Sequence, residues 1–248
     1  MRKIVVSEFI SLDGVVQAPG GAQEDTEGGF TQGGWTHPYW DDGIGAHFGR
    51  MLSEGDTLLL GRKTWQIHGG AFEPMADDDP NSIGFNSMPK YVVSTTLPDA
   101  SAWRRSTLIK DNVVELVRAL KEQPGKNILM DGSSVLIHTL AQNDLIDEYS
   151  LLVYPLVLGS GKRLFPDGLR TNLRLVETQA FPSGVVLLRY TVERPASEDA
   201  GEGWDLFSNL AGRQLRHSRS TCSRASSGVG ATGAPRAWNE HEKAIEWG

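Results

Sequence analysis

The segment that most constrains this chain runs from Lys126 to Gln142, Lys-Asn-Ile-Leu-Met-Asp-Gly-Ser-Ser-Val-Leu-Ile-His-Thr-Leu-Ala-Gln. Asn127 to Met130 is a short apolar run of strand type. Asp131-Gly132-Ser133-Ser134 makes a tight turn, and Val135 to Gln142 reads as an apolar helix face. A strand that enters a helix through small residues leaves the first-turn N–H groups free, and the helix dipole favours negative charge there. Gly132 lets the backbone come close to a ligand, and Ser133 and Ser134 add hydroxyl donors. An ordinary strand-to-helix turn with a serine N-cap has the same pattern, so the segment alone leaves anion binding open.

Other stretches repeat this alternation. Lys3 to Phe9 reads as a buried strand, followed by the turn Ser11-Leu-Asp-Gly14 and by Val15-Val16. Gln17 to Thr36 is a long loop without periodicity, a feature that is often functional in compact domains. Pro38 to Leu52 has helix character, with Trp40, Ile44, Phe48, Met51 and Leu52 on one face and Asp41-Asp42 in the first turn. Gly55 to Leu60 is a buried strand that runs into Gly61-Arg-Lys-Thr-Trp65, a second strand-to-helix turn, this one carrying cations. Gly69 to Pro89 reads as a loop, with Asp77-Asp78-Asp79 as a solvated acidic run. Lys90 to Thr95 and Ser106 to Ile109 read as strands, and Asn112 to Glu122 as a helix. Ile146 to Leu158 is strand-like and very apolar. Asn172 to Gln179 and Val185 to Glu193 flank Pro182-Ser-Gly184 as an antiparallel hairpin.

The expected fold is therefore α/β: a mainly parallel central sheet with flanking helices and a C-terminal antiparallel hairpin, spanning residues 1–194. In such sheets ligands bind beyond the carboxyl ends of the strands, where Gly61, Gly132 and Ser94-Thr95 all lie. Residues 195–248 change character. Their Pro, Ser, Gly and Arg content cannot bury enough apolar surface to offset ordering entropy, so they read as a mostly disordered tail.

Bulk properties exclude several classes. The net charge of −7 argues against general nucleic-acid binding. No apolar run approaches the roughly 18 residues that span a bilayer, and Met1 leads directly into a strand without a signal-peptide core. One cysteine, Cys222, allows no internal disulfide framework. The expected location is the cytoplasm. The six histidines show no metal-ligand spacing, so no metal site is expected. Leu158-Gly-Ser-Gly-Lys162 fails as a P-loop, because Leu156 stands where the first glycine belongs and Arg163 where Ser or Thr belongs. No serine sits in G-x-S-x-G.

Six stretches in order resemble the dihydrofolate reductase-like superfamily over roughly residues 1–193. They are Ser11-Leu-Asp-Gly-Val-Val16, Leu60-Gly-Arg-Lys-Thr-Trp65, Val92-Val-Ser-Thr95, Met130-Asp-Gly-Ser-Ser134, Leu145-Ile-Asp-Glu148, and Pro155-Leu-Val-Leu-Gly-Ser-Gly161 with Leu164-Phe-Pro166. The branch most similar contains the reductase domain of the bifunctional riboflavin-biosynthesis deaminase-reductase and its stand-alone bacterial relatives.

The resemblance implies an NADPH-dependent oxidoreductase of the dihydrofolate reductase or 5-amino-6-(5-phosphoribosylamino)uracil reductase type, and a homodimer. It implies that Gly61, Arg62 and Thr64 hold the cofactor phosphates from one side and Gly132, Ser133 and Ser134 from the other. Ser94 and Thr95 would line the adenosine end. Val16 and Phe9 would lie near the nicotinamide, with Phe9 on the substrate side. Arg62 offers a planar, permanently charged fork suited to phosphate. The family usually has consecutive small residues where this chain has Asp131-Gly132-Ser133, so Asp131 must point away from phosphate. Asp13 and Asp42 are the candidate carboxylates for protonation, and Asp41, Trp35 and Tyr154 the candidate substrate contacts. Each also has an ordinary structural reading: a turn residue, helix N-terminal charge, or core aromatic.

Such a cofactor would supply a hydride to a small pterin- or pyrimidine-like heterocycle or to a carbonyl compound, with an acid or ordered water supplying the proton. A non-catalytic nucleotide-binding module of the same fold would keep the phosphate turns and lose the acid. A transferase or hydrolase on an unrelated α/β sheet would bind no nicotinamide cofactor.

Overall fold

The computed structural model describes residues 1–75 and 82–194. The acidic run Asp77-Asp78-Asp79 and the tail 195–248 lie outside the described residues. The sheet has eight strands: β1 (Ile4–Ser11), β2 (Gly55–Gly61), β3 (Lys90–Val93), β4 (Ser106–Ile109), β5 (Asn127–Asp131), β6 (Glu148–Tyr154), β7 (Asn172–Ala180) and β8 (Val186–Glu193). Their spatial order is β4-β3-β2-β5-β1-β6-β8-β7. The first six run parallel, β8 is antiparallel to β6, and β7 closes the edge as the hairpin partner of β8. The mainly parallel sheet with an antiparallel hairpin is as expected.

Side-chain alternation explains why both faces are covered. Ile4, Val6, Leu59, Ile128 and Met130 point to one face, where α4 (Val113–Glu122) and α5 (Ser134–Gln142) pack through Val117, Leu120, Leu136, Ile137 and Leu140. Val5, Leu58, Leu60, Val92 and Leu129 point to the other face. That face meets Met51 of α1 (Asp42–Glu54), Trp65 of α2 (Arg62–Phe72) and Phe85 of α3 (Ile83–Ser87). Burying each such large side chain stabilises the fold by about 1.5–3 kcal/mol. Among the described residues, no helix is long and apolar enough to cross a membrane.

Three boundaries differ from expectation. The segment 69–89 is not all loop: α2 runs through Gly69 and Gly70 to Phe72, and α3 adds a short turn of helix. Gly69 is helical because α2 packs hard on Trp103, whose Cβ would lie 3.3 Å from any Cβ placed there. The helix expected from Pro38 starts at Asp42, because Asp41 caps it by accepting from the Ile44 N–H at 3.1 Å. Finally, β6 stops at Tyr154 rather than continuing to Leu158, since Pro155 has no N–H to donate.

The chain order reverses around β5, which inserts between β2 and β1. That reversal opens a crevice beyond the carboxyl ends of β1, β2, β3 and β5, the usual ligand position in open α/β sheets.

Candidate functional site

The two strand-to-helix turns, β2–α2 and β5–α5, lie side by side and are stitched together. The Gly61 N–H donates to Ser133 Oγ at 2.8 Å, and Ser133 Oγ donates to Thr64 Oγ1 at 3.0 Å. Gly132 has φ +62°, and a Cβ there would come within 2.8 Å of Thr64 Oγ1. Both conformation and space therefore require glycine. Ser133 is itself left-handed, with φ +66°. Among the described residues, no side chain caps the start of α2 or of α5. Two helix N-termini thus point their unfilled donors toward one crevice.

The crevice is a cavity of about 470 Å³. Its wall includes all nine residues expected to meet a cofactor: Val16, Gly61, Arg62, Thr64 and, across the crevice, Ser94, Thr95, Gly132, Ser133 and Ser134. Three of the hydroxyls, those of Thr64, Ser94 and Ser133, are already engaged. Ser133 Oγ ties the turns together, and Ser94 Oγ accepts from the N–H groups of Thr96 and Leu97, both at 3.1 Å. Thr95 stands exposed at the rim.

Three cations line the cavity, and they are not equivalent. Lys63 and Lys162 each contact both Asp25 and Glu27, with Lys63 at 2.7 and 2.9 Å. These contacts strap the long loop over the rim. The two lysines hold both carboxyls down to about 2, against the desolvation that would raise Asp25. Arg62 is exposed, and among the described residues its side chain reaches only Gln66, at 3.4 Å. Among the described residues it makes no ion pair, unlike the two lysines.

The six residues expected on the catalytic or substrate side do not line this cavity. Asp13 instead pins two loops: it accepts from Ser11 Oγ at 2.6 Å and from the N–H groups of Leu158 and Gly159 at 3.1 and 2.8 Å. These bonds, led by Ser11, lower its carboxyl to about 2 and make it a poor acid. Asp41 caps α1 and accepts from Ser183 Oγ at 2.7 Å. Asp42 is an exposed first-turn residue of that helix. Tyr154 is fully buried, with Phe9, Trp35 and Tyr39 set edge-on around it, and the Trp35 indole N–H is spent on the Gln17 carbonyl. Phe9, Trp35 and Tyr154 are therefore core aromatics.

The cavity floor holds instead a cluster the sequence reading missed: Glu8, Glu24 and His68, joined by Asp131. Asp131 does point away from the turn, to His68 Nε2 at 2.9 Å. Burial alone would lower the His68 pKa, but the charge and hydrogen bond of Asp131, with the charge of Glu24, outweigh it and raise the value. Glu24 accepts from the Gly20 and Gly21 N–H groups, yet desolvation still raises its pKa. The available signal was Glu8 itself, one charge inside the apolar run Ile4 to Ile10.

Comparison with known proteins places this architecture. Residues 2–187 match the family model described as RibD C-terminal domain. The chain is 33% identical over 197 residues to the uncharacterized protein YyaP of Bacillus subtilis (strain 168), covering 76% of this chain and 94% of that protein. A putative riboflavin biosynthesis protein from Shewanella sp. PV-4 superposes with TM-score 0.60 at 22% identity, covering 77% of this chain and 99% of the other. Dihydrofolate reductase from Enterococcus faecalis, complexed with NADP(H) and RAB-propyl, superposes with TM-score 0.50 at 16% identity, over 77% and 97% of the two chains. The fold is dihydrofolate reductase-like, and with three quarters of its length inside the matching family model and a one-third-identical relative, the chain belongs to the RibD C-terminal domain family.

Proposed function

We propose that this protein is an NADPH-dependent reductase acting on a small oxidised heterocycle, pterin- or pyrimidine-like, or on a carbonyl compound. The observation that carries this reading is the pair of stitched turns, with two helix starts that lack a side-chain cap and Arg62, which makes no ion pair among the described residues, all lining one cavity. The residues fit a dinucleotide. Gly132 keeps the backbone open to close approach, and a side chain there would fill the cradle against Thr64. Arg62 supplies a bidentate fork for phosphate, including a ribose phosphate. The names of structurally similar proteins, which include a diaminohydroxyphosphoribosylaminopyrimidine deaminase/5-amino-6-(5-phosphoribosylamino)uracil reductase and a dihydrofolate reductase complexed with NADP(H), agree with the reading.

When bound, the cofactor supplies the hydride. The protein's own part is to bind, orient and dry. The α2 and α5 starts and Arg62 would hold the phosphates at the rim. The ion pairs from Asp25 and Glu27 to Lys63 and Lys162 would hold the long loop against the cavity wall and so help keep water out. Asp13, Asp41 and Asp42 do not line the cavity, and the carboxyls and imidazole of the floor would be the polar groups available to the ligand's heterocycle.

Titration of the full chain with NADPH and NADH, followed by nicotinamide fluorescence, tests the reading. Binding of NADPH in clear preference to NADH supports it. Binding of neither sinks it and leaves the turns as architecture.

A further inference from the structure

Among the described residues, two buried side-chain oxygens have no hydrogen-bond partner: Glu8 Oε1 and Tyr154 Oη. They face different places. The Tyr154 ring packs among aromatic side chains, and the residue does not line the cavity. Glu8 is 4% exposed and lines the cavity floor. It takes the register position between Val6 and Ile10 on the apolar face of β1, where a hydrophobe would pack at no desolvation cost. A buried polar oxygen left open in this way calls for a ligand.

The surroundings decide the charge of Glu8. Asp131 on β5 and Glu24 on the long loop both face it and disfavour a second or third negative charge. The Gly132 N–H pulls the other way, but burial dominates and holds the Glu8 pKa well above its usual range. His68 on α2, the imidazole of the cluster, is already engaged by Asp131 at 2.9 Å. A phosphate or carboxylate would be repelled from this floor, whereas an uncharged group with an acceptor atom would find a donor.

Resting on the reductase reading, we propose that Glu8 is a neutral carboxylic acid in the working protein and donates a hydrogen bond from its open oxygen to the uncharged, acceptor-bearing head of the bound nucleotide. Glu8 thereby selects what enters the floor and sets the direction of binding, with the anionic part of the ligand at the Arg62 rim and the neutral heterocycle at β1.

Infrared difference spectra of the full chain test this, wild type against Glu8→Gln, which keeps the side-chain volume and an N–H donor. At pH 7 the wild type is expected to show a carboxylic-acid carbonyl band that the variant loses, and saturating NADPH is expected to move that band to lower frequency. A carboxylate signal in its place overturns the neutral acid. A band that stays put while nicotinamide fluorescence reports binding overturns the donor role. Absence of any fluorescence change instead sinks the reductase reading, and the ligand half of the proposal falls with it. The ligand-free band still measures Glu8 on its own.

Thermal unfolding gives a second readout. A folded pKa raised above the ordinary 4.5 means that stability is progressively lost as pH rises from that value toward the folded pKa. Glu8→Gln does not titrate, so its Tm should match the wild type near pH 4.5 and exceed it increasingly toward pH 8. A difference that is flat across this range overturns the proposal.

Discussion

The rim and the floor of the same cavity are made from different materials. At the rim the recognition groups are mostly backbone, the uncapped starts of α2 and α5, with Arg62 beside them and Lys63 and Lys162 held by acids of the loop. At the floor they are side chains: Glu8, Glu24, Asp131 and His68, partly or fully withdrawn from water. Backbone donors need only a turn of the right shape, which small residues announce locally. A titratable floor needs residues from β1, the long loop, α2 and β5 to converge. On the proposed reading, one crevice would hold an anion at the rim and refuse it at the floor.

The largest expected effect is at the rim. Arg62→Ala should weaken NADPH binding by about 1.5–3 kcal/mol, the range for hydrogen bonds to charged groups, roughly tenfold to more than hundredfold. An unchanged dissociation constant would remove Arg62 from the site. Gly132→Ala comes next. It forces an alanine into the left-handed region against Thr64, so urea unfolding should show a loss of about 1–2 kcal/mol, and NADPH affinity should fall as the turns separate. Stability equal to wild type would mean that the stitching of the turns matters little.

Smaller effects sharpen the contrast. Asp25→Asn with Glu27→Gln should free Lys63 and Lys162 for phosphate and tighten NADPH binding, by less than about 1 kcal/mol because such exposed pairs are weak. Weaker binding by calorimetry would show that the strap supports the site more than its acids compete with the ligand. The smallest change in binding is expected for Asp13→Asn, which should leave the NADPH dissociation constant within about twofold on the scale where 1.4 kcal/mol is tenfold. Its effect belongs to stability. The Asp13 carboxyl is held down from 3.8 to about 2, so its contribution is present above pH 3.8 and lost as pH falls toward 2. Acid unfolding of wild type and variant should therefore converge at the low end of that window; curves that stay parallel would remove Asp13 as the pin between its loops.

Much of the rim was legible because its information is local. Asp131-Gly132-Ser133-Ser134 and Gly61-Arg62-Lys63-Thr64 each carry strand, turn and helix start within a few residues, and the six ordered stretches set the family resemblance. The substrate-side residues misled for an equally physical reason. An acid beside a glycine or at a helix start, such as Asp13 or Asp41, serves the backbone as readily as a ligand. Here both are consumed by N–H groups and serine hydroxyls. Trp35 and Tyr154 are flat enough to stack on a heterocycle, but they bury against each other.

The sequence by itself determined the alternation of strands and helices, the antiparallel hairpin at residues 172–193 and the two glycine turns, because periodicity and φ preference act over short range. Only the tertiary structure decided that β5 enters between β2 and β1, which brings Asp131 beside Glu8 and within reach of His68. Whether a carboxyl is buried or solvated, and which charges share its space, depends on contacts between residues as far apart in the chain as 8 and 131. No local pattern encodes those contacts.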